Sequence, residues 1–180
     1  NKQNYARYRA QIEALQEEVY EPVRQTPMNE FDQAFNAYDG FGIVVLDDKQ
    51  LVGLSVCCPM EAFGNVSGIR TSSNYAENNT LYSADITVRE AYRGANLGSF
   101  LKYSQLIQGL IAGYEAIEGR NRDRLANSML AHNFSVGALP KQYLAEDYKD
   151  NEMYRDCIYY RTDLQWKDAP LNLSMGVSSP

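Results

Sequence analysis

The sequence predicts a mixed α/β domain built around one sheet. Two short apolar, β-branched runs at 41–46 (FGIVVL) and 51–58 (LVGLSVCC) read as a hairpin, and a later strand pattern at 81–88 (LYSADITV) leads into a glycine-bearing loop and a helix. Two amphipathic helices come before any strand. The order helices, hairpin, strand, helix, strand, helix, hairpin lacks the strict alternation of a doubly wound fold.

The helices come first in the chain. Tyr5, Tyr8, Ile12, Leu15 and Val19 recur at steps of three and four, and Pro22 ends that segment. Thr26 and Pro27 form a cap and first-turn pair, after which Phe31, Ala34, Phe35 and Tyr38 repeat the spacing until Asp39 and Gly40. The runs 41–46 and 51–58 turn at 47–50, and apolar residues at successive positions predict that both strands are covered on both faces. Residues 61–79 are polar and glycine-containing, too long for an ordinary connection, and predict a functional or solvated loop.

After the strand at 81–88, Phe100, Tyr103, Ile107 and Leu110 predict the buried stripe of a helix that starts at Ser99 and ends at Gly113. Residues 114–119 predict a strand, 122–133 a helix carrying Leu125, Met129 and Leu130, and 142–148 with 153–162 a last hairpin turning at 149–152. Residues 1–164 are read as one domain and 165–180, which show no period, as an irregular tail.

Charge and cysteine content bound the function. A net charge of −6, with 23 acidic against 17 basic residues, argues against a nucleic-acid partner and suits a cationic small substrate. Three cysteines, Cys57 and Cys58 adjacent in an apolar run, predict buried thiols in a reducing compartment rather than a disulfide framework. No apolar run approaches the roughly 18 residues that span a bilayer, and the first residues lack the apolar core of a signal peptide. A cytoplasmic protein without a membrane partner is the expectation. No Cys/His cluster predicts a metal site.

The chemistry concentrates in 81–99. A loop of backbone amides ending at a helix N-terminus is an anion site, because the first helical N–H groups lack intrahelical partners and the dipole adds positive potential; a purely structural turn is the alternative. No lysine follows Gly98 as a nucleotide P-loop requires, and 94–98 does not supply the Gly-x-Gly-x-x-Gly of a dinucleotide site. Asp85, an acid in an otherwise apolar strand, costs stability unless it is paired or hydrated, which points to a cleft. A carboxylate bonded to neighbouring groups explains it equally well.

The run 88–99 (VREAYRGANLGS) resembles the strand-and-loop motif of the GNAT superfamily of acyl-CoA-dependent N-acyltransferases, and the resemblance covers about residues 41–164. Asn96 stands where the family usually has its middle glycine; asparagine is the next-best residue for a left-handed backbone. A weaker match is 129–138 (MLAHNFSVGA), similar to the family's later helix ending in Gly-Phe, with Ala138 in place of the aromatic.

The resemblance implies a mostly antiparallel sheet of about six strands, splayed at its centre and flanked by helices. It implies acetyl-CoA, or another acyl-CoA, as cofactor, with Arg93, Gly94, Ala95, Asn96, Leu97, Gly98 and Ser99 on the pyrophosphate. Ile86 and Val88 would meet the pantetheine where the strand at 81–88 splays from that at 114–119, and the Val88 amide would polarise the thioester carbonyl. Asn121 falls where the family often has a cofactor-contacting asparagine. Asp85 would take the proton of the amine. Asn133 occupies the place of the tyrosine that usually protonates the thiolate and has no useful acid, which leaves that step to solvent, Tyr143 or Tyr159. His132 is expected to pack its helix rather than act as a base. The segment 61–79 lies where acceptor-binding parts often occur in this family.

The implied function is transfer of an acyl group, acetyl foremost, to a primary amine of a small molecule or peptide, in a chain that could form a homodimer. A non-catalytic acyl-CoA-binding or regulatory module is the alternative.

Overall fold

A computed structural model of the chain describes residues 2–36, 39–123, 129–147 and 155–165. Four α-helices lie in this part: α1 (Lys2–Val19), α2 (Met28–Asn36), α3 (Leu97–Ile111) and α4 (Met129–Ser135). Six strands form one sheet among the described residues: β1 (Phe41–Asp47), β2 (Gln50–Pro59), β3 (Thr80–Val88), β4 (Ala116–Arg122), β5 (Leu139–Leu144) and β6 (Cys157–Asp163), in the order β1-β2-β3-β4-β6-β5. Every pairing is antiparallel except β3 with β4, whose parallel run needs the crossover that α3 supplies. The architecture is the mixed, mostly antiparallel α/β sheet expected.

The helices cover both faces. Leu54 and Val56 of β2 pack with Tyr5, Ile12, Leu15, Phe31 and Phe35 of α1 and α2. A Cβ on Gly53 would instead meet Leu101 of α3, so successive β2 residues face opposite layers. Strand β2 is accordingly buried almost throughout. Strand β1 departs from the expectation of two covered faces: it is the sheet edge and only partly buried along its length. The three cysteines are buried, and loss of hydration pushes the Cys57 thiol up to about 12.

The spacing of α3 misleads. Its buried residues are Leu101, Lys102, Gln105 and Gly109, whereas Phe100, Tyr103, Ile107 and Ile111 are exposed. Most of the apolar stripe therefore faces outward, and Lys102 and Gln105 join Leu101 on the buried side. Gln105 explains part of this, because its carboxamide serves an irregularity in β3. Between the pairs Val56↔Asp85 and Cys57↔Ser83 the strand carries one extra residue, Ala84. Gln105 Nε2 lies 3.3 Å from the Val56 oxygen and 3.5 Å from the Asp85 oxygen, and its Oε1 accepts from Ser83 Oγ at 2.8 Å.

Several element limits shift. Asn121 lies inside β4 rather than after it, and the helix expected over 122–133 is α4, which starts at Met129 among the described residues. The strand expected at 142–148 runs Leu139–Leu144, and that at 153–162 runs Cys157–Asp163. The turn at 149–152, Tyr38, Leu125 and the tail from 166 lie outside the described residues. No described helix is long and apolar enough to cross a membrane.

Candidate active site

The site grows from a short pairing. Strands β3 and β4 are joined only at Thr80↔Ala116, Leu81↔Ile117 and Tyr82↔Glu118, after which they separate. Beyond that point β3 keeps only β2. Arg89 N–H bonds to Val52 O at 2.9 Å, which makes the next pair inward, Val88↔Gly53, a non-hydrogen-bonded one. By the same alternation the N–H and C=O groups of Val88 and Ile86 point away from β2, into the gap. The Val88 oxygen indeed accepts from Arg93 Nε at 3.4 Å.

At the end of the gap stands the glycine loop. Asn96 takes φ 60°, ψ 16°, the left-handed conformation that its place in the loop requires. Gly94, at φ +84°, has nothing within 4 Å of a would-be Cβ. Asn96 makes no side-chain cap, and Phe100 N–H to Asn96 O, at 3.0 Å, is the first turn-closing bond of α3. The amides of Leu97, Gly98 and Ser99 thus have no intrahelical partner. The helix begins at Leu97, two residues before the expected start, so the loop and the first turn are one unit.

Loop and strand enclose a cleft of about 650 Å³, walled by Ile86, Val88, Arg93, Gly94, Asn96, Leu97, Gly98 and Ser99 together with Val19, Tyr20, Tyr92, Met129 and His132. Most of the residues expected around the anion meet here; Ala95 is in the loop but not in the wall. His132 lies against Ser99, with Oγ to Nδ1 at 3.5 Å, and edge-on to Tyr103. Among the described residues its Nε2 is buried without a hydrogen-bond partner, and burial, then the nearby Lys102, holds its pKa below the usual value.

Asp85 is close to this cleft but not in its wall. The extra residue at Ala84 turns the two ends of β3 to different layers: Ser83 reaches Gln105 of α3, while the Asp85 carboxylate meets α1. There Oδ2 accepts from Gln16 Nε2 at 2.5 Å and Oδ1 from Thr87 Oγ1 at 2.6 Å. The Gln16 carboxamide is fixed in turn by Thr26 N–H, which donates to Oε1 at 3.1 Å and leaves the amino group for Asp85. With 9% of its surface exposed, Asp85 is pushed up to about 6 by burial, against the opposing hydrogen bonds of Thr87 and Gln16. Thr87 Oγ1 also lies 3.1 Å from the hydroxyl of Tyr20, a residue of the cleft wall.

Asn121 and Asn133 pair with each other: Asn133 Nδ2 donates to Asn121 Oδ1 at 2.6 Å, and Asn133 Oδ1 is buried without a partner among the described residues. Neither lines the cleft. Tyr143 is exposed and bonds Asp156, while Tyr159 is buried and donates to Glu118 Oε2 at 2.7 Å. The tyrosines that the fold does bring to the cleft are Tyr20 and Tyr92, the latter tied to Asp47 at 2.6 Å. The segment 61–79 packs elsewhere, with Ser72 Oγ on Glu118 Oε1 at 3.1 Å and Gly68 against the Tyr159 ring, and does not fill the cleft.

Gln16, Tyr20 and Thr87 went unread in the sequence. Gln16 carries a signal, a polar side chain four residues after Ile12 on a buried stripe, and Thr87 another, two residues from Asp85 on one strand. Tyr20, one of 14 tyrosines, carries none.

No family model matches the sequence, and no curated protein does. Solved structures do. The chain is similar to the ribosomal-protein-S18-alanine N-acetyltransferase from Escherichia coli, with TM-score 0.67, 13% identity and 92% of each chain covered. It is also similar to a GNAT superfamily phosphinothricin acetyltransferase from Sinorhizobium meliloti in complex with AcCoA (TM-score 0.64, 14% identity, 87% of this chain and 84% of that one). A GNAT-like decarboxylase in complex with isobutyryl-CoA matches with TM-score 0.68, 15% identity, 88% of this chain and 96% of that one. Set beside these structures, the six-stranded sheet opened between β3 and β4, with a glycine loop and a helix N-terminus at the opening, gives this chain the fold of the GNAT superfamily.

Proposed function

We propose that this chain is an N-acyltransferase that moves an acyl group, acetyl foremost, from a coenzyme A thioester to a primary amine of a small molecule or peptide by direct transfer. The observation that carries the reading is the open gap in which unpaired strand amides of β3 face the uncapped N-terminus of α3. One of the similar structures holds AcCoA and another isobutyryl-CoA, which supports an acyl-CoA as the ligand of this cleft. Since the fold also hosts a decarboxylase, the activity is argued from the site.

The residues present fit that ligand. A Cβ on Gly98 would meet only Met129 Sδ, at 3.9 Å, so the backbone there is open to close approach by a phosphate. The amides of Leu97, Gly98 and Ser99, with the Arg93 guanidinium, hold the pyrophosphate, and the outward-facing groups of Ile86 and Val88 pair with the pantetheine amides. The bound acyl-CoA supplies an activated thioester carbonyl. The Val88 N–H polarises it, and Asp85, its carboxyl raised toward neutral pH by burial, is the proton acceptor for the incoming ammonium. The thiolate is protonated by solvent, since Asn133 has no acidic proton.

Incubation of the protein with acetyl-CoA and a panel of primary amines, following free thiol, tests this. Thiol release that depends on one amine class is expected, and no binding of CoA by calorimetry overturns it. Asn133, buried and bonded to Asn121, favours one other reading, a non-catalytic acyl-CoA-binding module. That reading predicts CoA binding without amine-dependent release.

A further inference from the structure

Each oxygen of Asp85 already accepts a hydrogen bond, one from Gln16 and one from Thr87, and the residue is 9% exposed and not in the cleft wall. An ammonium group in the cleft therefore has no direct contact with it. A base must nonetheless connect to the proton it removes through hydrogen bonds. We propose that Tyr20 and Thr87 form a proton relay from the cleft to Asp85, with the Tyr20 hydroxyl as the group that meets the acceptor amine. The inference rests on the acyltransferase reading above.

The geometry sets the direction of each bond. Thr87 has one hydroxyl proton, and an ionised carboxylate can only accept. That proton is therefore committed to Asp85 Oδ1, at 2.6 Å. The 3.1 Å contact between Thr87 Oγ1 and the Tyr20 hydroxyl is then a bond in which Tyr20 donates, and Tyr20 is itself part of the cleft wall. The phenol is held in place by its backbone: Tyr20 N–H donates to Gln16 O at 3.0 Å, and Gln25 Nε2 donates to Tyr20 O at 3.0 Å. Burial, with the Asp85 charge adding to it, pushes Tyr20 up to about 12, so it rests protonated and passes a proton on rather than acting as a base itself.

The step balances without a co-reactant. An N–H bond of the ammonium breaks as the Tyr20 oxygen takes that proton. The Tyr20 proton moves to Thr87 Oγ1, and the Thr87 proton to Asp85 Oδ1. The net change is an ammonium and a carboxylate converted to a free amine and a carboxylic acid, and the two hydroxyls are restored. The proton leaves Asp85 by the same route after the product departs. Among the described residues, the charged groups that act on this line are Arg24, whose guanidinium carbon lies 5.5 Å from the centre of the Tyr20 ring, and Arg93 from the glycine loop. Asp85 itself is faced by Gln16 and Thr87, both neutral.

The test compares Thr87→Val, Thr87→Ser and Tyr20→Phe in the full chain. The readouts are kcat against pH with the best amine at saturating acetyl-CoA, and the CoA Kd by calorimetry. Wild type should show an acidic limb near the pH at which Asp85 ionises. Thr87→Val and Tyr20→Phe should lower kcat by about 10²-fold and lose that limb, the usual scale for one acid–base contribution. Their CoA Kd should be unchanged within about twofold, and Thr87→Ser, which keeps the hydroxyl, should recover kcat and limb together. Thr87→Val with wild-type kcat and limb overturns the relay while leaving the acyltransferase reading intact, as does Thr87→Ser no better than Thr87→Val. A wild type that acylates no amine overturns both.

Discussion

Gln105 and Asp85 meet across the sheet: the Gln105 carboxamide on the α3 side lies 3.5 Å from the Asp85 main-chain oxygen, while the Asp85 carboxylate is on the other side, on Gln16. One residue is thus held from both layers. The extra residue Ala84 makes this possible, and Gln105 Nε2 donates to main-chain oxygens of both strands beside it, Val56 O and Asp85 O. Gln105→Leu, which keeps the bulk and removes those bonds, should destabilise the protein by about 1–3 kcal/mol in urea unfolding. An unchanged unfolding midpoint would show that Gln105 does not support the bulge.

Asp85 should leave a pH signature on stability. In the folded chain burial pushes its carboxyl up from 3.8 to about 6. Between those values the folded state keeps a proton that the unfolded chain has released, so stability falls as pH rises through this window and the loss is complete above it. Asp85→Asn has no such proton. Relative to wild type it should gain roughly 3 kcal/mol on going from about pH 3.5 to about pH 7, the free energy of holding that proton on the buried carboxyl. Urea titrations of both proteins at several pH values measure the slope, and a difference that stays flat removes the buried ionisation.

The same substitution separates chemistry from binding. With the Gln16 and Thr87 contacts on the α1 side of β3, Asp85→Asn should depress turnover by about 10²-fold while leaving the CoA Kd nearly unchanged. A parallel loss of CoA binding in calorimetry would remove Asp85 from the amine side.

Gly98→Val should do the reverse. An added Cβ would meet only Met129 Sδ, at 3.9 Å, so the backbone there has room for a side chain. The new methyls enter the cleft and block close approach to the amides, at a cost of about 1–3 kcal/mol in CoA binding. Calorimetry and thermal unfolding on one preparation check both halves, and undiminished binding would place the pyrophosphate elsewhere.

The outward stripe of α3 predicts an inversion of the usual mutational pattern. Leu101→Ala should cost about 2–5 kcal/mol, since Leu101 is fully buried against the sheet. Ile107→Ala, at a position 55% exposed, should stay within about 0.5 kcal/mol. Equal costs would mean that Ile107 is covered.

By itself the sequence determined what rests on local pattern. The stripe of α1, the β1–β2 hairpin, β3, and the loop at 93–99 are each written in contiguous residues, because periodicity, turn chemistry and uncapped helix amides are short-range properties. The left-handed Asn96 was legible through the resemblance, which sets it in the place of a glycine. Tertiary structure decided which face of each element is inside. In α3 Phe100, Tyr103, Ile107 and Ile111 point outward while Gln105, beside the buried Leu101, serves the bulge, a demand made by a strand elsewhere in the chain. The same bulge reverses the side of Asp85, and only the fold sets Gln16 and Tyr20, more than sixty positions earlier, beside it and Thr87. A proton path across that separation is a property of packing, which no run of adjacent residues records.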